Sequence, residues 1–201
     1  MDRFPKLFAH NRSWAAARLR EDPEYFERLC AIQTPDHLWI GCADSRVPAN
    51  QIVGLAPGEL FVHRNVANVV PPDDANCVSV IQYAVDVLRI KHIMITGHYS
   101  CGGVLAALRS DPLPQPLDAW IDHVRAVRDR HREELDALTE ERDRWYRLCE
   151  LNVLAQVLSV AALPTVRAAW DRGQSLDVHG WIYDLHDGLL RDLGVTVGGP
   201  G

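Results

Sequence analysis

The chain has 201 residues, 47% of them hydrophobic and 24% charged, enough apolar content for a real core and too much for a disordered segment. A net charge of −6, with Arg and Lys scattered through the chain, excludes the basic face that nucleic-acid binding needs. There is no uninterrupted run of about eighteen apolar residues, so no membrane-spanning helix is expected. The start, Met1-Asp2-Arg3-Phe4-Pro5-Lys6, lacks the basic-then-apolar pattern of a secretory signal, which leaves the cytoplasm as the expected compartment. Five cysteines, an odd number at irregular spacings, do not make a disulfide framework. In a reducing compartment they are core residues or metal and redox ligands.

In chain order, the first thirty or so residues have helical spacing. Trp14, Ala15, Arg18 and Leu19 share a face, Asp22-Pro23 opens a new turn, and Tyr25, Phe26 and Leu29 follow. His37–Cys42 is a short apolar run that ends in Gly-Cys and reads as a buried strand, and Glu59–Asn65 reads as a second. Ala75–Ile90 is helical, with Val78, Ile81, Val85 and Leu88 at three-to-four spacing. His92–His98 is a third strand, followed by a turn over Tyr99–Gly103 and another helix. Strand, helix, strand in this order implies parallel strands joined by a crossover. Three prolines between Asp111 and Pro116 place a loop there. Trp120–Leu163 reads as one long helix, Pro164 opens another that closes at Gly173, and Leu176–Tyr183 is the last predicted strand before the Asp187-Gly188 turn. The expectation is an α/β fold with a central, mostly parallel sheet, flanking helices and an N-terminal helical arm. It forms a single domain with the arm at 1–34, the core at 35–197 and a flexible tail at 198–201.

Cys42 closes the first strand, while His98 and Cys101 follow the third. Loops at the carboxyl ends of neighbouring parallel strands meet in one crevice, so these three side chains can converge. Two thiolates and an imidazole make a three-ligand zinc set with a fourth position open for water or substrate, the pattern of a catalytic site. A His-x-x-Cys spacing is common and cysteine is among the most buried residue types, so spacing alone leaves core thiols as an alternative. Cys30, Cys77 and Cys149 lie in helical segments without a His or Cys at ligand spacing and read as core or surface thiols. Asp44 and Arg46 lie two residues apart on a loop. They can form a bidentate pair that fixes the carboxylate beside a metal, or an ordinary surface ion pair.

Three segments together, Cys42-Ala43-Asp44-Ser45-Arg46-Val47, His63-Arg64-Asn65-Val66-Ala67-Asn68 and Gly97-His98-Tyr99-Ser100-Cys101-Gly102-Gly103, closely resemble the signature of the β-class carbonic anhydrases in order, spacing and strand context. The resemblance runs from about Phe8 to about Val195 and takes in Glu150-Leu151-Asn152-Val153 and His179-Gly180-Trp181-Ile182-Tyr183. It implies reversible hydration of carbon dioxide to bicarbonate and a proton, with Cys42, His98 and Cys101 holding one Zn2+ per chain and Asp44 with Arg46 as the catalytic dyad. It further implies an apolar substrate pocket of Phe61, Val66 and Tyr83, completed by Gln33 from a neighbouring subunit, with the Gly102 N–H as hydrogen-bond donor. Without the resemblance, Phe61, Val66 and Tyr83 read as core.

Bicarbonate-regulated bacterial members of the family carry a Trp, an Arg and a Tyr that match Trp39, Arg64 and Tyr183 here. In them bicarbonate at a separate site, together with low pH, lets the dyad Asp coordinate zinc. Arg64 supplies charge for an anion, and Trp39 and Tyr183 can donate hydrogen bonds. The alternative is that Trp39 and Tyr183 are packed strand residues and Arg64 pairs with Glu59. Two departures from the family pattern leave the ligands intact: Ala43 replaces a frequent Ser, and Ser100 stands where Gly is frequent in bacterial relatives. The sequence ends soon after Val197, where bacterial relatives usually continue into a helix, which bears on assembly more than on chemistry. A homodimer is expected from the family and from the apolar arm (Trp14, Tyr25, Phe26), with a homotetramer as the larger option. Two rival readings stay open: hydrolysis of carbonyl sulfide or carbon disulfide on the same scaffold, and a non-catalytic zinc-binding regulator. The intact Asp44 and Arg46 argue against the second.

Overall fold

The structure, a computed structural model, describes residues 4–31, 33–110 and 112–199. Two compact units make up the chain, Met1–Thr34 and Pro35–Gly201.

In the first unit, α1 (Pro5–Glu21) starts with a proline at its first position, where a missing N–H is harmless, and ends with Arg18 and Arg20 in its last turn. Asp22 then accepts the Glu24 N–H and pairs with Arg28, turning the chain into α2 (Tyr25–Leu29). Trp14, Tyr25 and Phe26 meet edge to face with ring centroids 5.0 to 6.3 Å apart. Even so, α1 buries no side chain, and Phe4, Leu7 and Phe8 are each more than half exposed.

The second unit runs β1 (His37–Cys42), α3 (Ala49–Val53), β2 (Leu60–Asn65), a tight turn at Val66–Asn68, α4 (Ala75–Gln82) and β3 (His92–His98). It continues with α5 (Gly102–Arg109), α6 (Leu117–Arg130), α7 (Arg132–Asp136), α8 (Glu141–Ala162), α9 (Pro164–Asp171), β4 (Asp177–Asp184) and β5 (Leu189–Gly198). The five strands form one sheet in the order β2-β1-β3-β4-β5. The first four are mutually parallel, and β5 pairs antiparallel with β4 at the edge. The strands after β1 lie on both sides of it, so the crevice where chain direction diverges opens beyond the carboxyl ends of β1 and β3.

The two sheet faces differ. Leu38, Ile40, Ile93, Ile95, Val178 and Ile182 point into the main core, all fully buried beneath the helices. At about 1.5–3 kcal/mol for each fully buried large aliphatic side chain, this layer holds the parallel strands together. The opposite face carries a smaller cluster, with Trp39, Leu60 and Met94 packed against Val47 and Ala49. Helix α8 lies close against the main face because β3 and β4 carry glycines beneath it. A Cβ at Gly97 would sit 2.5 Å from a Val153 methyl, and one at Gly180 would sit 3.1 Å from a Val157 methyl.

Three sequence expectations change. The long helix from Trp120 to Leu163 is broken into α6, α7 and α8. Unbroken, it would be roughly 65 Å long, whereas a domain of this size is only about 40 Å across. The breaks at His131 and Ala137–Glu140 let Leu135 turn into the core. The helix expected over Ala75–Ile90 starts on an Asp74 cap that accepts the Asn76 and Cys77 N–H groups, then widens into a π-turn over Tyr83–Val87. The third change is β5, an edge strand beyond the last strand expected from the sequence. Among the described residues, no single helix is long and apolar enough to cross a membrane.

Candidate metal centre

Cys42 is the last residue of β1, His98 the last of β3, and Cys101 the residue that precedes α5. Their ligand atoms all lie within 4.8 Å of one another, and all three side chains are buried. The two sulfurs are 3.9 Å apart. Two sulfurs on one tetrahedral zinc ion at the usual bond length would stand about 3.8 Å apart. His98 Nδ1 lies 2.9 Å from the Tyr99 carbonyl oxygen. Donating its proton there leaves the Nε2 lone pair free, and Nε2 is a buried nitrogen with no hydrogen-bond partner among the described residues. An orphaned imidazole nitrogen facing two thiols is expensive as plain core packing and suits a zinc ligand set.

The thiols are tuned by what surrounds them. The Cys42 thiol is pushed down, first by the hydrogen bond from Cys101, with His98 and the Ala67 N–H, 3.4 Å from its sulfur, adding to this. Cys101 is pushed up, first by the same contact with Cys42 and then by burial. The metal-free pair therefore holds one thiolate readily, and the second awaits a cation. The N-terminus of α5 faces Cys101, and the partial positive charge of a helix start favours an anion there.

Asp44 and Arg46 form the expected pair. Arg46 Nε and Nη2 reach the two carboxylate oxygens at 2.9 and 2.7 Å, and the Arg46 backbone N–H adds a third bond at 2.9 Å. The guanidinium holds the Asp44 carboxyl well below the usual carboxylate range, so it is ionised at any physiological pH. Asp44 Oδ2 stands 3.7 Å from His98 Nε2. Arg46 also donates to the Ser100 carbonyl at 3.3 Å, tying the β1 loop to the β3 loop.

Of the expected pocket residues, Phe61 and Tyr83 are brought together with ring centroids 5.8 Å apart. Tyr83 and Val66 keep more than a third of their surface exposed, and Val66 directly precedes the Ala67 that touches Cys42. Gly102 is the first residue of α5, so its N–H has no carbonyl within the helix. Gln33 belongs to the first unit. Strand register puts Trp39, Arg64 and Tyr183 on one face of the sheet, with Trp39 fully buried. Arg64 does not pair with Glu59, which instead accepts the Ala56 N–H. Arg64 donates to the carbonyls of Cys42 and Asp44 at 2.9 and 2.6 Å.

A shell of hydrogen bonds that the sequence does not announce lies behind the ligands. The Trp145 indole donates to the Cys101 carbonyl at 2.9 Å. Asn152, fully buried in α8, donates to the Ala67 carbonyl at 2.8 Å and accepts from Gln156, whose oxygen takes the Val70 N–H. That chain fixes the Val66–Asn68 turn, in which Ala67 and Asn68 both hold positive φ. The available signal was a pair of amides one helical turn apart, Asn152 and Gln156, on the otherwise apolar face of α8.

The carbonic anhydrase family profile matches residues 37–190. A carbonic anhydrase of Emericella nidulans is 48% identical over 194 residues, covering 96% of this chain and 85% of that protein. One from Pseudomonas aeruginosa is 36% identical over 176 residues, covering 85% and 78%. Among solved structures, a Coccomyxa β-carbonic anhydrase in complex with acetazolamide superposes with a TM-score of 0.94 at 44% identity, over 99% of this chain and 90% of that one. A tetrameric β-carbonic anhydrase of Sordaria macrospora gives 0.92 at 42%, over 96% and 98%. On the profile match, the relatives and the shared fold, the chain belongs to the β class of the carbonic anhydrase family.

Proposed function

We propose that Cys42, His98 and Cys101 hold the zinc of a working carbonic anhydrase, one ion per chain, and that the chain reversibly hydrates carbon dioxide to bicarbonate and a proton. The observation that carries this reading is the orphaned His98 Nε2 facing two thiols 3.9 Å apart, with an ionised carboxylate beside it. Zinc held by these three residues would supply Lewis-acid chemistry, the means by which water becomes acidic enough to react near neutral pH. Asp44, held by Arg46, accepts a hydrogen bond from the attacking water and orients it. Phe61, Val66 and Tyr83, with Gln33 of a neighbouring subunit, keep carbon dioxide in apolar surroundings. The Gly102 N–H donates to a substrate or product oxygen. Stopped-flow hydration of carbon dioxide tests this: a zinc-dependent rate that vanishes in Cys101→Ser is expected. No rate above background with zinc loaded would overturn it, and hydrolysis of carbonyl sulfide alone would favour the alternative substrate.

The outward-facing apolar residues of α1 and the tetrameric state of the Sordaria relatives support a homo-oligomer, a dimer or a tetramer. Five free cysteines suit a cytoplasmic setting, where thiols stay reduced. A bicarbonate switch like that of the regulated bacterial members is supported by Trp39, Arg64 and Tyr183 sharing one face and by the nearness of Asp44 to His98. Arg64 bridges the Cys42 and Asp44 carbonyls, so an anion that draws it away loosens the Asp44 loop. Crystals grown at mildly acid pH with bicarbonate are expected to show Asp44 turned from Arg46 toward the ligand set. An unchanged Asp44–Arg46 pair under those conditions sinks the switch and leaves the hydration reading standing.

A further inference from the structure

The opposite end of the sheet carries a second set of ligand groups. His92 opens β3, and strand register places Asp177 of β4 directly beside it. His179, two residues on, projects from the same face as Asp177. The ligand atoms of His92, Asp177 and His179 all lie within 4.8 Å of one another, and each side chain is half-buried. We propose that these three residues form a second site, for a first-row divalent transition cation, at the amino-terminal edge of the sheet.

The geometry supports this in three ways. His92 Nδ1 and His179 Nε2 stand 3.2 Å apart. Two imidazole nitrogens on one tetrahedral ion are held about 3.3 Å apart at usual bond lengths, so the rings are already spaced for an ion. Next, His179 Nδ1 lies 3.1 Å from the Thr196 hydroxyl. With its proton on Nδ1, His179 donates to that oxygen and turns its Nε2 lone pair toward His92, the second-shell arrangement that fixes metal-binding histidines. In the metal-free protein His92 donates its Nδ1 proton to that lone pair. Binding an ion at Nδ1 would place that proton on Nε2 instead. Finally, the Asp177 carboxylate accepts no hydrogen bond and makes no ion pair among the described residues. It faces Gly198 across the β4–β5 ladder, where a Cβ would sit 2.6 Å from Asp177 Oδ1. A bare backbone at 198 leaves the carboxylate its place.

The surroundings do not oppose a cation. Lys91 is neutralised by Asp36 at 3.0 Å, and the His37 ring stacks on His92 with centroids 5.5 Å apart, steadying its plane. The Thr196 hydroxyl at His179 Nδ1 leaves the Nε2 side of that ring turned toward His92. Two imidazoles, one carboxylate and open positions for water suit zinc, cobalt or nickel over calcium or magnesium.

The test uses tag-free protein with its cysteine site filled by zinc, titrated with cobalt(II) by calorimetry and visible absorption. One further ion per chain is expected, giving weak ligand-field bands and no thiolate-to-cobalt charge-transfer band. His179→Gln and Asp177→Asn, each with unchanged circular dichroism, are expected to lose at least about tenfold in cobalt affinity. A variant that fails to fold leaves the other and the wild-type stoichiometry to decide. No second ion in the wild type, a charge-transfer band showing cobalt only at the cysteine site, or unchanged affinity in the folded variants would each overturn the proposal.

Discussion

The two ends of one sheet carry two ligand clusters of opposite design. At the carboxyl end Cys42, His98 and Cys101 are buried and soft, and backbone and side-chain donors hold them. At the amino end His92, Asp177 and His179 are half-exposed and harder, with Thr196 and His37 beside the rings. Loops converge at the carboxyl end of parallel strands and can bury ligands drawn from separate segments. The amino end has only strand starts to offer, so its cluster is built from register alone. A buried site gains strength from excluded water, and a half-exposed one trades that strength for exchange.

Substitutions that treat the ends differently sharpen the contrast. The largest effect is expected for Cys101→Ser, which removes a thiolate ligand. Hydration of carbon dioxide falls to background and zinc content, read by atomic absorption, falls with it, whereas His179→Gln leaves hydration unchanged. Next comes Asn152→Ala, which leaves the Ala67 carbonyl and Gln156 unsatisfied in the core and is expected to cost about 2–3 kcal/mol in urea unfolding. The Thr196→Val counterpart at the exposed edge should cost under about 0.5 kcal/mol.

Arg46→Ala gives a smaller, pH-dependent loss. Asp44 has its folded value lowered below 3.8, chiefly by Arg46, so the pair stabilises the folded state above that unfolded-state value and its contribution is lost as pH falls through the folded one. Arg46 is 56% exposed, which screens the pair, so zinc-free wild type and Arg46→Ala should differ by only about 1 kcal/mol at pH 6. The two should converge toward pH 2, and a gap that widens on acidification would show that the pair acts otherwise. Trp145→Phe loses one hydrogen bond to the Cys101 carbonyl and, like Arg46→Ala, about 1 kcal/mol, here in thermal unfolding.

What could be read in advance follows the same division. β1 and β3 run over His37–Cys42 and His92–His98 as the apolar runs indicate, because strands buried on both faces leave continuous hydrophobic signals. Cys42, His98 and Cys101 were legible because two lie three residues apart and all three sit at strand ends. β5 was not. Its alternating Leu193, Val195 and Val197 are interrupted by Gly194 at positive φ, next to the register shift opposite Gly180/Trp181. The second cluster was hidden more deeply, since His92 and His179 each read as a lone polar residue in a strand and only the β3–β4 register joins them. The shell of Asn152, Gln156 and Trp145 was invisible for a related reason: its partners are backbone carbonyls, which carry no residue signature.

Ala67, Asn68 and Ser100 all hold left-handed backbone around the cysteine cluster without being glycine. Each such residue costs roughly 1 kcal/mol relative to relaxed backbone. Glycine at Ser100 would relieve that strain and also free a segment that positions His98 and Cys101. A search for heat-tolerant variants would therefore be drawn to these same positions, and the gains found there would come out of turnover. Durability without that penalty has to be sought away from the crevice, for instance on the outward face of α6.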